Sequence, residues 1–185
     1  MTQERRGTMM IDYRMIKAEE LSEDLFGEFI RHQNVTKCWR KVEGSWQIMD
    51  IAFVDDWNQE DYEQLTESLR NIIALGGMVY GAFQQNVLKG FVAVSGELFG
   101  TKQEYLDLAE IYVSEELRGQ GVGTRLFQKA GEWARAKGAK KLYISAHSAV
   151  ESQAFYKRQG CVEAREYSAK HVEKEPCDCQ LECQL

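Results

Sequence analysis

The segment from Arg118 to Thr124 constrains the fold of this chain more than any other, because it places glycine at positions 119, 121 and 123. Glycine tolerates backbone conformations with positive φ, so this spacing predicts a tight turn that exposes several N–H groups. The helix predicted after the turn directs the positive end of its dipole to the same place. The segment therefore predicts a seat for a phosphate or pyrophosphate, although a lone glycine-rich turn more often only begins or ends a helix.

The sequence on both sides of the turn supports the phosphate interpretation. Residues 105–113 read as a strand in which carboxylates are embedded in apolar sequence. After the turn, apolar residues recur at three- and four-residue steps from Leu126 to Ala134, and Gly138 ends the predicted helix. The turn thus lies in a unit of strand, phosphate-binding loop and helix.

Two familiar nucleotide-binding loops do not match. A dinucleotide-binding loop requires Gly-x-Gly-x-x-Gly, and a P-loop requires Gly-Lys followed by Ser or Thr. The chain instead has Arg-x-x-Gly-x-Gly at 118–123, and a later helical segment, residues 154–161, contains Phe155, Tyr156 and Gly160. The two motifs together are far more specific than either one.

With both motifs in this order, the chain resembles the Gcn5-related N-acetyltransferase (GNAT) superfamily over roughly residues 10–185, and most strongly over 105–163. The resemblance implies a mixed α/β (α+β) fold, with a mostly antiparallel central sheet of about seven strands flanked by about four helices. It also implies acetyl-coenzyme A as cosubstrate and transfer of an acetyl group to a primary amine. Two positions depart from the family pattern: Ala149 replaces a frequent asparagine, and Cys161 replaces a phenylalanine.

The resemblance assigns a set of cofactor-binding residues. Backbone N–H groups of the glycine loop would hold the pyrophosphate, the side chain of Arg118 would add charge, and the backbone of Ile111 and Val113 would pair with the pantetheine arm. The predicted set is Ile111, Tyr112, Val113, Arg118, Gly119, Gln120, Gly121, Val122, Gly123 and Thr124.

Four residues are candidates for the catalytic chemistry. Tyr156 occupies the family's general-acid position, from which a phenol can protonate the departing sulfur. Glu110 and Asp107 compete as the base, because a carboxylate among apolar neighbours is partly desolvated and accepts a proton more readily near neutral pH. Glu110 is preferred for its longer side chain, and His147 is a third candidate.

Residues 33–57 form an unusually long connection that contains Trp39, Trp46 and Trp57, with Glu43-Gly44 placed like a turn between two strand-like arms. Of these, Trp39 and Trp46 are the candidates for substrate binding. Long ordered connections in compact domains are usually functional. We expect this one to form a wall of the acceptor site, with both tryptophans as substrate-binding residues. The alternative is that the tryptophans fill a local core or a dimer contact.

The remaining predicted elements complete the family's order along the chain. Residues 10–17 predict a first strand, Ser22 predicts the start of a helix, Asn58 predicts the start of a second, and residues 78–94 predict a hairpin. The last segment, 177–185, alternates apolar and polar residues and predicts a strand with one buried face.

Composition bounds the class of protein. At 185 residues with 44% hydrophobic content, the chain predicts one domain over 1–185, with residues 1–9 frayed. The formal net charge of −6 argues against nucleic-acid binding and, together with Asp55 and Asp56, favours a small cationic acceptor over an anionic one. No apolar run is long enough to span a membrane, and we expect a cytoplasmic protein.

Five cysteines show no zinc-type pairing, and an odd count favours free thiols. A metal site using His171, Cys177, Cys179 and Cys183 is conceivable, but residues two apart on a strand suit packing better, so no metal is predicted. An exposed terminal strand could pair in a homodimer. A non-catalytic acyl-coenzyme A sensor or partner-binding module remains the competing functional hypothesis, favoured by Ala149 and opposed by Tyr156 with Glu110.

Overall fold

A seven-stranded sheet forms the centre of the computed structural model, which describes residues 10–185. The strands lie in the order β1-β4-β5-β6-β7-β9-β8, and β2 and β3 form a separate antiparallel hairpin. The elements are β1 (Ile11–Met15), β2 (His32–Val42), β3 (Ser45–Asp56), α1 (Gln59–Ala74), β4 (Met78–Gln84), β5 (Val87–Val94), β6 (Tyr105–Val113), α2 (Val122–Ala136), β7 (Lys141–Ala146), α3 (Val150–Arg158), β8 (Val162–Glu163), α4 (Ala169–Lys174) and β9 (Cys179–Gln184). Residues 1–9, predicted to be frayed, lie outside the described residues.

The sheet is antiparallel except between β6 and β7, which run parallel. The hydrophobic core covers both of its faces. On one face Leu126 and Ala130 of α2 pack against β4, β5 and β6, and on the other Leu65 and Leu69 of α1 do so. The predicted mixed fold with a mostly antiparallel sheet is confirmed.

The prediction of a helix beginning at Ser22 is wrong. The chain there forms two short 3₁₀ turns, Ala18–Glu20 and Glu23–Phe26, and the side chain of Ser22 makes no capping hydrogen bond. The core takes Phe26 and Phe29 from this segment but leaves Ile30 exposed, so the buried positions do not follow a helical stripe. The helix predicted from Asn58 is confirmed, with the Asn58 side chain accepting from the Glu60 and Asp61 N–H groups.

The last strand differs from its prediction in position and in burial. β9 lies between β7 and β8, so it is not an exposed edge of the sheet. The homodimer was predicted to form through an exposed terminal strand, and β9 does not offer one. Because neighbouring segments cover both of its faces, the polar residues Gln180 and Glu182 are buried along with Cys179 and Cys183. Tyr143 donates to Gln180, and Tyr105 donates to Glu182, which meets the hydrogen-bonding demand of the buried polar face.

Over residues 10–185, no helix combines the length and the apolar character needed to cross a membrane.

Candidate active site

A cleft of about 1580 Å³ opens where β6 and β7 separate. The two strands pair only from Tyr105 to Asp107 on β6, opposite Lys141 to Tyr143 on β7, and beyond these residues they diverge. The four helices and the base of the β2–β3 hairpin line the cleft. The backbone of β6 beyond Asp107 is therefore unpaired on its β7 side and is available to a ligand.

A β-bulge in β6 sets the direction of the acidic side chains. Glu110 pairs with Ala93 and Leu108 pairs with Val94, so Ala109 is one residue more than the partner strand supplies. In a regular strand, positions 107 and 110 would face opposite sides of the sheet. The additional residue lets both Asp107 and Glu110 line the same cleft.

The glycine loop forms one end of the cleft. Gly119 and Gly121 have φ of 74° and 83°, the left-handed region in which other residues are strained. A Cβ atom at Gly123 would lie 3.3 Å from the ring of Phe155 on α3, so glycine there lets α2 and α3 approach. The loop leads directly into α2, whose first N–H groups have no intrahelical acceptor, and this arrangement fits a pyrophosphate.

Arg118 is less free than the sequence suggested. Its Nε donates to the Val113 carbonyl at 3.0 Å and its Nη1 donates to the His32 carbonyl at 2.6 Å, so the side chain joins the loop to β6 and β2. Burial lowers the pKa of its guanidinium from the usual value. Eight of the predicted cofactor-binding residues line the cleft, namely Ile111, Tyr112, Val113, Arg118, Gly119, Gly121, Gly123 and Thr124.

The other two predicted cofactor-binding residues do not line the cleft. Val122 is 1% exposed and packs in the core, and the Gln120 side chain donates to the Glu116 carbonyl at 3.0 Å. The backbone of both residues still belongs to the loop. Thr124 is tied to α3, because its hydroxyl accepts from Gln159 at 3.2 Å.

Glu110 lines the cleft with the electrostatic character of a base. Burial raises its pKa to about 7, and hydrogen bonding from Tyr112 offsets part of that rise. A carboxyl group with a pKa near the working pH exchanges protons efficiently. Tyr156 on α3 lines the same cleft at 8% exposure, and burial raises its pKa, which keeps the phenol protonated.

The opposite end of the cleft is formed by side chains around α4. Nε2 of His171 lies 3.1 Å from Oδ2 of Asp107, while Asp107 Oδ1 is buried without a partner among the described residues. Burial and then Glu175 raise the pKa of Asp178 to about 7. His171 and Asp178 were not predicted as site residues, and no local sequence pattern indicates that α4 returns to the cleft.

Of the aspartates proposed to attract a cationic acceptor, Asp55 is paired with a cation and Asp56 does not line the cleft. Asp55 forms an ion pair with Arg31, and Asp56 lies 3.6 Å from Nδ1 of His32. The Arg31 guanidinium lies over the rings of Trp57, at 5.5 Å, and Tyr112, at 5.1 Å. The Arg31–Asp55 ion pair therefore adds little net charge to the cleft.

The long connection between the first strand and α1 is the β2–β3 hairpin, with its turn at Glu43 and Gly44 as the pattern indicated. Only its base lines the cleft. Trp39 and Trp46, predicted to bind substrate, lie outside it: the Trp46 indole donates to Glu163 at 3.1 Å, and Trp39 pairs through its backbone with Ser148. Trp57, at the hairpin base, lines the cleft instead.

Two other sequence observations have structural counterparts at the start of α3. Ala149 is fully buried and bridges to Cys38 of the hairpin, so the position lacks both a polar side chain and space for one. His147 lines the cleft, its Nδ1 accepts from the Ala149 N–H at 3.2 Å, and burial lowers its pKa. Among residues 10–185, no group of three or more His, Cys, Asp or Glu side chains gathers as a metal-binding cluster.

Comparison with known proteins places this geometry in context. The model of the acetyltransferase (GNAT) family matches residues 42–161. A protein of Bacillus anthracis str. Ames assigned as a streptothricin acetyltransferase, solved with acetyl-coenzyme A, superposes with a TM-score of 0.71 at 18% identity, covering 96% of this chain and 99% of that one.

Two further solved structures share the fold. A nourseothricin acetyltransferase has a TM-score of 0.65 at 18% identity and covers 93% of this chain and 95% of its own. The PaiA N-acetyltransferase of Thermoplasma acidophilum, solved with coenzyme A, has a TM-score of 0.60 at 15% identity and covers 96% and 100%. The comparison with curated proteins finds no match.

Proposed function

The chain belongs to the acetyltransferase (GNAT) family, and we propose that it transfers the acetyl group of acetyl-coenzyme A to a primary amine of a small cationic acceptor. The observation that carries the proposal is the divergence of β6 from β7, which joins the glycine loop, Glu110 and Tyr156 in one cleft. Both reactants would lie in this cleft together, so the amine attacks the acetyl group directly and the enzyme forms no covalent intermediate.

The structure fits acetyl-coenzyme A at one end of the cleft. The left-handed glycines and the start of α2 suit its pyrophosphate, and the free backbone edge of β6 suits the amides of its pantetheine arm. When bound, acetyl-coenzyme A supplies an acetyl group activated as a thioester. The Ile111 N–H, on the unpaired part of β6, would donate to the oxygen that gains negative charge during attack.

Glu110 and Tyr156 would move the protons. Glu110 accepts a proton from the attacking nitrogen, for which its pKa of about 7 is well matched. Tyr156 donates its phenolic proton to the departing sulfur, because burial keeps it protonated at neutral pH. Asp107, the competing base candidate, has one carboxylate oxygen engaged by His171, which favours Glu110.

The acceptor end of the cleft supports a positively charged acceptor. Its carboxylates are Asp107, Glu110, Glu175 and Asp178, and the basic side chains nearby are Lys170, His171 and Lys174. Burial raises the pKa of both Glu110 and Asp178, and the positive charges of Lys174 and Arg40 offset only part of that rise. An ammonium group bound there would supply further positive charge. One of the similar structures is a nourseothricin acetyltransferase and another is assigned as a streptothricin acetyltransferase, which is consistent with a small acceptor.

The first experiment is calorimetric titration with acetyl-coenzyme A, followed by a spectrophotometric assay of coenzyme A release over a panel of cationic, neutral and anionic amines. We expect binding in the micromolar range and turnover that favours cationic amines. Binding without turnover of any amine would instead support a non-catalytic acyl-coenzyme A sensor, the alternative that Ala149 favours. A preference for anionic amines would contradict the proposed acceptor class.

Tyr156→Phe tests the general acid within the same assay. We expect kcat to fall by on the order of ten- to a thousandfold with little change in the Kd for acetyl-coenzyme A. Tyr80→Phe is the matched control, because Tyr80 also hydrogen bonds through its hydroxyl, to the Tyr13 carbonyl at 3.1 Å, but lies outside the cleft. An unchanged kcat in Tyr156→Phe would remove this role.

A further inference from the structure

His171 is held in the cleft by contacts from two strands. Its Nε2 lies 3.1 Å from Asp107 on β6, and its ring stacks on Tyr143 of β7 with centroids 5.5 Å apart and planes at 28°. The Tyr143 hydroxyl accepts from the Ser168 N–H at 2.9 Å, which fixes the start of α4. The side chains of His171 and Asp107 are 20% and 16% exposed. The imidazole is therefore oriented and retains a path to water.

The pairing also selects the tautomer of His171. Because a carboxylate only accepts hydrogen bonds, the neutral imidazole carries its hydrogen on Nε2 and keeps a lone pair on Nδ1. Nδ1 has no hydrogen-bond partner among residues 10–185, and His171 lines the cleft together with Glu110. The residue thus has the geometry of a proton acceptor held by an acidic partner.

Proton counting shows where a second acceptor would act in the reaction proposed above. An amine of ordinary basicity enters as an ammonium with three N–H bonds, whereas the amide product keeps one. Two protons therefore leave the nitrogen: one balances the proton that Tyr156 gives to the departing sulfur, and the other must reach solvent. Glu110 can hold only one of them at a time.

We propose that His171, oriented by Asp107, accepts the first of these protons from the acceptor ammonium and releases it to water. The freed lone pair then forms the C–N bond as the C–S bond breaks, and Glu110 takes the second proton. Tyr156 protonates the sulfur and is restored by the proton on Glu110. The balance is ammonium plus thioester giving amide, thiol and one proton in solution. This role rests on the proposed function and gives Asp107 a positioning role in place of a direct one.

The charged surroundings of His171 are consistent with this role. The groups facing it are Asp107 on β6, Tyr143 on β7, and Lys170, Lys174 and Glu175 along α4, with Glu110 and Asp178 further along the cleft. The hydrogen bond to Asp107 raises the pKa of His171 from its ordinary value, and burial opposes that rise. His171 is consequently a stronger proton acceptor than a free imidazole.

Changing the basicity of the acceptor tests the proposal. With a strongly basic amine, we expect His171→Gln to lower kcat/KM by about a hundredfold, within the range typical of acid–base groups. A weakly basic amine of the same shape, fluorinated beside its nitrogen, binds unprotonated and needs no first deprotonation. With this amine the His171→Gln defect should disappear, whereas the Glu110→Gln defect should persist.

Two further substitutions serve as controls for His171→Gln. Glu173→Gln changes an exposed residue of the same short helix outside the cleft and should behave as wild type with both amines. Asp107→Asn keeps His171 but removes the charge that raises its pKa, so the acidic limb of the kcat/KM profile should move to lower pH. In the His171→Gln background, Asp107→Asn should shift that limb less, because only its smaller effect on the pKa of Glu110 remains.

Equal defects of His171→Gln with the basic and the weakly basic amine would overturn the proposal, because a merely structural residue affects both alike. Equal shifts of the limb by Asp107→Asn in the wild-type and the His171→Gln backgrounds would also contradict it. Failure of the proposed function is distinguishable, because the wild-type protein would then acetylate neither amine.

Discussion

The two ends of the cleft are constructed in different ways. At the glycine-loop end, Gly119 and Gly121 present backbone groups in left-handed conformations, and the features are encoded within seven consecutive residues. At the α4 end, Asp107 and His171 meet across 64 positions of sequence and depend on the fold to bring them together. A backbone-built site suits a constant part of a ligand, such as a pyrophosphate, whereas a side-chain-built site can vary with the acceptor.

The difference also appears in the free energy of folding. The side-chain end holds carboxylates that burial disfavours, and Glu110 illustrates the cost. The unfolded chain releases the Glu110 proton near pH 4.5, whereas the folded protein keeps it to about pH 7. Between these pH values the folded state binds more protons, so the contribution of Glu110 to stability falls as pH rises, and above pH 7 its full cost is present.

Glu110→Gln therefore gives the largest expected effect. One pKa unit corresponds to about 1.4 kcal/mol, so the variant should raise the free energy of unfolding by up to about 3 kcal/mol at pH 8. At pH 4 the gain should vanish, because the wild-type carboxyl is then protonated in both states. Denaturant unfolding at the two pH values measures the difference. Glu67→Gln, at an exposed position of the same cleft, is the control and should show no such pH dependence. A loss of stability at pH 8 would mean that the Glu110 charge is compensated.

The same contrast explains which parts of the site could be predicted from sequence. The glycine loop, Tyr156 and the carboxylates of β6 lie in or beside contiguous motifs, so their positions follow from local pattern. His171 and Asp178 could not be found in this way, because their presence in the cleft depends on α4 and on β9 entering the sheet between β7 and β8. The Ser22 segment was misassigned as a helix for a related reason, since tertiary burial of Phe26 and Phe29 overrides its local periodicity.

The hairpin shows how a correct pattern can still give incomplete positions. The sequence predicts its turn at Glu43-Gly44, but it does not predict that most of the hairpin extends away from the cleft. A one-residue feature, the bulge at Ala109, also has no clear sequence signal, although it directs both Asp107 and Glu110 into the cleft. Such features depend on pairing between strands and not on the sequence of one strand.

Gly121→Ala tests the backbone-built end and has the next largest effect. A side chain in the left-handed region costs about 1–2 kcal/mol, so the loop would relax and acetyl-coenzyme A binding would have to restore it. We expect the Kd to rise by on the order of tenfold, measured by calorimetry. Gly138→Ala is the matched control, because Gly138 has a φ of 93° at the other end of α2, away from the cleft. It should lower thermal stability and leave the Kd unchanged; equal effects on Kd would show that Gly121 acts only through stability.

The smallest expected effect comes from a comparison of two tryptophans, one at the base of the hairpin and one further along it. Trp57 lines the cleft and packs edge-on against Tyr112, with centroids 4.7 Å apart, whereas Trp46 is bonded to Glu163 outside it. Since an aromatic contact contributes about 0.5–1.5 kcal/mol, Trp57→Ala should raise the KM for the acceptor about two- to tenfold, and Trp46→Ala should not. The Kd for acetyl-coenzyme A checks that both variants retain the fold.

A higher KM in Trp46→Ala alone would show that the hairpin moves over the acceptor during turnover. The side-chain-built end would then extend along the whole hairpin instead of ending at its base.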